Sequence, residues 1–154
     1  AVLLAFLLIA AQSLLELATF FHVAHQLCTI VGDLHRQDVV HRNVHPGSIF
    51  FDLETRHVWL DDFSFATRGS GDAPGPAPGG LPPGALAYIS PEQTGRMNRA
   101  VDCRSDLYSL GVMLYELLTG VPPFASEDRM ELVHAHIARR PVPPARGSPW
   151  WPTR

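Results

Sequence analysis

Ser105–Phe124 reads SDLYSLGVMLYELLTGVPPF, and the fold is decided in this stretch. Leu107, Leu110, Val112, Met113, Leu114, Leu117 and Leu118 surround most of the circumference of a helix drawn from Ser105 to Thr119. A helix that is apolar nearly all round is buried among other elements. Ser105 is placed to cap its N-terminus, and Asp106 falls in the first turn, where the helix dipole favours negative charge. Gly120, followed by Pro122 and Pro123, stops it.

Working outward, SEDRMELVHAHIARR predicts a helix opening at Ser126 and running to Arg140. Its acids, Glu127 and Asp128, lie in the first turn and its bases, Arg139 and Arg140, in the last. Upstream, Phe20, Val23, Ala24, Leu27, Ile30, Val31 and Leu34 recur at the spacing of an amphipathic helix over Thr19–Arg36, with His22, His25 and Gln26 toward its other side. Asp38–Ser48 then reads as a polar loop containing a proline. Two short apolar runs, Ile49–Phe51 and His57–Leu60, predict strands joined by a turn. Gly69–Gly84, GSGDAPGPAPGGLPPG, holds neither helix nor central strand and predicts a surface loop. No internal repeat is present.

The 154 residues suffice for one domain and are too few for two ordinary ones. Apolar residues make up 46%, enough to bury a core. All 12 basic residues are arginine against 15 acids, giving a net charge of −3 with no lysine anywhere. No basic run suggests a nucleic-acid face. Cys28 and Cys103 belong to no CxxC pair and are expected as buried free thiols in a reducing, cytoplasmic setting. Residues Ala1–Ala11, AVLLAFLLIAA, are shorter than the roughly 20 residues a membrane span needs, so a membrane role is not expected. The absence of an initiator methionine suggests a fragment.

Four motifs occur in a fixed order: HRNVHPGSIFF at His41–Phe51, LDDFSFAT at Leu60–Thr67, SPE at Ser90–Glu92, and the helix from Asp106. They resemble the catalytic loop (H-R-D-x-x-x-x-N), the D-F-G segment, the A-P-E segment and the central helix of the C-terminal lobe of eukaryotic-type serine/threonine protein kinases. Over Tyr88–Pro144 the chain further resembles kinase-like domains that begin large AAA-ATPase/sensor histidine kinase hybrid proteins. The resemblance implies a mainly α, protein kinase-like fold: a helical C-lobe with a short β-hairpin and no N-lobe. Residues 17–140 form this partial domain, 1–16 are an apolar segment of uncertain role, and 141–154 are a Pro/Trp-containing tail.

In such kinases the transfer of phosphate rests on positioning and charge. The resemblance places Asn43 where the catalytic Asp belongs. An uncharged amide is no base near neutral pH, and general-base catalysis alone is worth about 10²–10⁴ in rate. Ser48 takes the place of the metal-binding Asn, with a hydroxyl that would reach magnesium only through water. Asp62 keeps the carboxylate of the D-F-G segment, a hard oxygen ligand. Ser64 replaces its glycine and is expected to stiffen the turn. His45 stands for a common lysine, and Ala85 for a threonine that would bond near the catalytic Asp. With no lysine and no G-x-G-x-x-G, binding of the family's ATP and Mg is expected to be weak or absent. His41, Arg42, Glu92 and Asp106 are retained as supports, and Asp106 is placed to bond the loop backbone.

Other residues carry plainer readings. Asp61 and Asp62 point to opposite faces of an extended segment, one exposed and one toward the site. The pairs His22/His25 and His134/His136 lack further metal ligands, and Trp150–Trp151 belongs to the tail. Three functions follow from the resemblance: a pseudokinase or regulatory module that meets protein partners or neighbouring domains, the C-lobe of an active kinase, or a truncated product without function.

Overall fold

The computed structural model describes residues 17–69, 80 and 84–144. The apolar segment Ala1–Ala11, nearly all of the Gly/Pro loop and Trp150–Trp151 lie outside the described residues.

Helix α1 spans Leu17–Arg36 and buries Val23, Leu27 and Val31, one every four residues. Strand β1, Val39–Val40, is followed by β2, Ile49–Phe51, and β3, Val58–Leu60. Strand β4, Thr67–Arg68, returns antiparallel to β1, pairing Val39 with Arg68 and Val40 with Thr67. The β2–β3 hairpin pairs Ile49 with Leu60 and Phe51 with Val58. Helices α2, Cys103–Thr119, and α3, Arg129–Ala138, complete the described lobe. The helical lobe with a short hairpin is therefore as expected, whereas β1 falls within a stretch that reads as loop and its pairing with β4 is unanticipated.

Leu27, Val31, Val44, Ile49, Val58 and Met113 meet in the core between α1, the hairpin and α2. Each such side chain contributes about 1.5–3 kcal/mol on burial. A second cluster joins Leu132 and Val133 of α3 to Ala85, Leu86 and Ile89. The polar side of α1 also carries structure. His22 Nε2 and Gln26 Nε2 each lie 2.8 Å from the Arg56 carbonyl, and Val58 N donates to Gln26 Oε1 at 3.1 Å. These contacts hold the hairpin turn onto the helix.

Both later helices begin elsewhere than the sequence suggests. Asp102, in extended backbone, caps α2 by accepting from Arg104 N at 2.9 Å. Ser105 lies inside the helix and donates instead to Glu92 at 2.5 Å. Similarly, Asp128 caps α3 by accepting from Met130 N and Glu131 N, while Ser126 donates to Glu131. The end at Ala138 precedes Arg139, whose guanidinium turns back to Glu131 at 2.9 Å. In each case Asp and Ser are comparable caps a few residues apart, and the serine takes a side-chain partner. Gly120 ends α2 as expected, at φ 79°, with its N–H bonded to Glu116 O at 2.7 Å.

Two expectations of burial are corrected. Cys28 and Cys103 are free but exposed. Cys28 follows the buried Leu27, and one residue turns the helix by about 100°, away from the core. Nor is α2 buried all round: Leu107 is 52% exposed. Cys103, Leu107 and Gly111, four residues apart, form one uncovered stripe. Among the described residues no helix is long and apolar enough to cross a membrane.

Candidate active site

Residues 41–48 run between β1 and β2 and are held from below by Asp106, in the first turn of α2. Its Oδ2 accepts from His41 N at 2.9 Å and its Oδ1 from Arg42 N at 2.7 Å. His35 Nε2 lies 2.8 Å from the same Oδ2. A carboxylate that is 1% exposed is thus matched by backbone and imidazole donors. The bond from Asp106 to the loop is the one expected.

His41 is fully buried, and its two ring nitrogens have different tasks. Nδ1 accepts from Asn43 N at 3.3 Å, which leaves the proton on Nε2, 3.0 Å from the Asp61 carbonyl. Burial lowers the pKa of this ring and keeps it neutral. The ring also packs edge-on against Phe63, centroids 4.7 Å apart. His41 thereby ties the loop to the segment that carries Asp62. Asp61 N, donating to Ser48 O at 2.8 Å, adds a second tie. Arg42 is buried and adopts φ 65°, a left-handed conformation that costs energy for a residue with a Cβ. Its carbonyl accepts from Gln93 Nε2 at 2.7 Å.

Asn43 and Asp62 come together. Asn43 is 5% exposed and its Nδ2 donates to Asp62 Oδ2 at 2.9 Å. Ser64 Oγ donates to the other oxygen, Oδ1. These bonds, that of Ser64 foremost, hold the Asp62 carboxyl below its ordinary pKa. The left-handed residue of the turn is Asp62, at φ 59°, and Ser64 lies within a short 3-10 turn, Phe63–Phe65. Ser64 thus acts on the turn through a hydrogen bond to Asp62. Asp61 is exposed while Asp62 meets the site.

Ser48 is not brought to Asp62's oxygens. It is fully buried, accepting from His45 N at 3.1 Å and donating to His45 O at 2.8 Å, as part of the cap on the turn Pro46–Ser48. A water-bridged metal has no accessible oxygen there. His45 Nδ1 accepts from Gly47 N at 3.0 Å, which places the ring proton on Nε2. Burial lowers its pKa against the opposing charge of Asp62. Ala85 lines a small cavity together with Arg42, Asn43 and Tyr88.

Glu92 accepts from Ser105, a partner not anticipated. Also missed were Gln93, which braces Arg42, and Ser90, whose Oγ donates to Gln93 Oε1 at 2.9 Å. The S-x-x-Q spacing of a capping box, Ser90 to Gln93, is the signal that marks them.

The donor set does not fit magnesium clasped between two protein oxygens. Asp62 already accepts from two side chains, and the Ser48 hydroxyl is enclosed. Among the described residues no group of three or more His, Cys, Asp or Glu is arranged to hold a metal.

A family model described as the protein kinase domain matches residues 4–151. The chain belongs to the protein kinase domain family. The match runs beyond residues 17–140 on both sides. The chain is 35% identical over 119 residues to the serine/threonine-protein kinase PknB of Mycobacterium leprae (strain TN), covering 77% of this chain and 18% of that protein. Against PknB of Mycolicibacterium smegmatis the identity is 34%, covering 77% and 19%. Against serine/threonine-protein kinase pkn3 of Myxococcus xanthus it is 34% over 132 residues, covering 82% and 24%. The chain thus spans about a fifth of the length of the relatives it matches. Within this kinase-family lobe, Asp106 bonds the backbone of residues 41–42 and the Asn43 amide joins that loop to Asp62.

Proposed function

We propose that this kinase-family lobe transfers little or no phosphate by itself and serves as a pseudokinase module, binding or regulating within a larger signalling protein. The observation that carries the reading is the Asn43 amide at the position of the base, donating to Asp62 at 2.9 Å. An amide that gives a proton to its neighbour's lone pair does not take one from a hydroxyl. These 154 residues supply no lysine, the side chain that grips phosphate in this family. The surfaces offered to a protein partner or a neighbouring domain are α3 and the loop that carries Gly84 and Ala85, which the resemblance makes a docking loop. AAA-ATPase and histidine kinase regions are the neighbours suggested by the resemblance, and the cytoplasm is the compartment.

The identity to named serine/threonine kinases and the intact Asp106 frame favour a second reading, the C-lobe of an active kinase whose N-lobe lies elsewhere in a longer protein. Thermal melting with and without Mg-ATP tests whether this lobe by itself holds nucleotide. Ligand binding to the folded state raises the melting temperature by mass action. No shift is expected at millimolar Mg-ATP. A rise of several degrees, abolished by Asp62→Ala, would show that this lobe alone holds phosphates.

A further inference from the structure

We propose that Asn43 and Ser64 act together as a built-in replacement for a divalent cation, locking Asp62 to the loop so that the site keeps its shape without metal. In sequence the two residues are separate departures from a kinase pattern, 21 positions apart (64 − 43). In the structure they converge on one carboxylate, Asn43 Nδ2 on Oδ2 at 2.9 Å and Ser64 Oγ on Oδ1.

The chemistry gives this convergence a purpose. A carboxylate in a partly enclosed site needs compensation for lost hydration, from a cation or from hydrogen-bond donors. Here one N–H and one O–H supply it, one to each oxygen. They also restrain Asp62, which stands in left-handed backbone at φ 59° and needs its surroundings to hold it there. His41, bonded to the Asp61 carbonyl, fixes the same segment from the other side. The inference rests on the reading of the lobe as catalytically silent and adds to it that Asn43 is a positioning residue for Asp62.

A reversal of sign makes the proposal testable. Asn43→Asp would set a carboxylate oxygen where the amide nitrogen now lies, 2.9 Å from Asp62 Oδ2. Two carboxylates at that separation repel unless a proton or a cation joins them. The measurement is the melting temperature of the 154-residue chain and of Asn43→Asp at mildly alkaline pH, with EDTA and then with millimolar Mg²⁺ or Mn²⁺. The unaltered chain is expected to melt at the same temperature throughout. The variant is expected to melt several degrees lower in EDTA and to recover in either cation. Should the variant fail to fold, the side-chain amide signals of Asn43 in the unaltered protein provide the second readout. They are expected to stay sharp when Mn²⁺ is added. Cation stabilisation of the unaltered chain, a variant indifferent to cations, or Mn²⁺ broadening of the Asn43 amide would each overturn the proposal. Phosphate transfer by the unaltered chain would instead overturn the silent reading, so the two failures are distinct.

Discussion

Asp106→Ala is expected to destabilise the lobe by about 3–5 kcal/mol, the range for removing one partner of a buried charged contact. The substitution strips acceptors from His41 N, Arg42 N and His35 Nε2 at once. Buried donors left without partners cost about 1–3 kcal/mol each. Arg42 is held in left-handed backbone, so the loop relaxes away from its present path when that support goes. Small domains are stable by only about 5–15 kcal/mol, and such a loss approaches unfolding. Urea denaturation followed by circular dichroism is the check. Asp106→Asn keeps one acceptor and should fall between the two. A midpoint for Asp106→Ala unchanged from the parent would mean that the frame does not depend on this carboxylate.

The second large effect is acid sensitivity centred on His136. This ring is 4% exposed, packed against Phe124 at 5.2 Å, and its Nδ1 is hydrogen-bonded with the Tyr108 hydroxyl at 2.9 Å. Burial pushes its pKa from 6.5 down to about 4. The folded state therefore binds a proton less readily than the unfolded state. The stability this contributes is complete above about pH 6.5 and is lost as pH falls toward 4. Its full size is on the order of 3 kcal/mol, taking about 1.4 kcal/mol per pKa unit. His41 and His45 are shifted the same way by burial and add to the loss. Unfolding free energy measured across this range should fall steadily with acid. His136→Gln should flatten the slope without abolishing it. An equal slope in the variant would place the acid sensitivity elsewhere.

The helices were legible because burial leaves a period. Val23, Leu27 and Val31 mark the inner face of α1 by their spacing alone. Caps were less legible, since Ser105 against Asp102 and Ser126 against Asp128 differ only in which side chain finds a tertiary partner. The β1–β4 ladder escaped notice because two residues cannot display an alternation. At the site, resemblance identified Asp106 and His41. It recorded Asn43 and Ser64 as two losses, because sequence does not reveal that both donors reach one carboxylate. Ser48 illustrates the converse. Its residue type suggested a weak metal contact, while the local turn encloses its hydroxyl against His45.

Taken together, the contacts describe a kinase-family lobe in which Asp106 holds the backbone of residues 41–42 and Asn43 and Ser64 both donate to Asp62. On the proposed reading, loss of the general base alone lowers phosphate transfer by about 10²–10⁴. The most direct measurement is transfer from radiolabelled ATP to a generic protein substrate by the 154-residue chain, in a preparation that melts cooperatively. The expected result is no magnesium-dependent transfer above background. Transfer that requires magnesium and disappears in Asp62→Ala would contradict it.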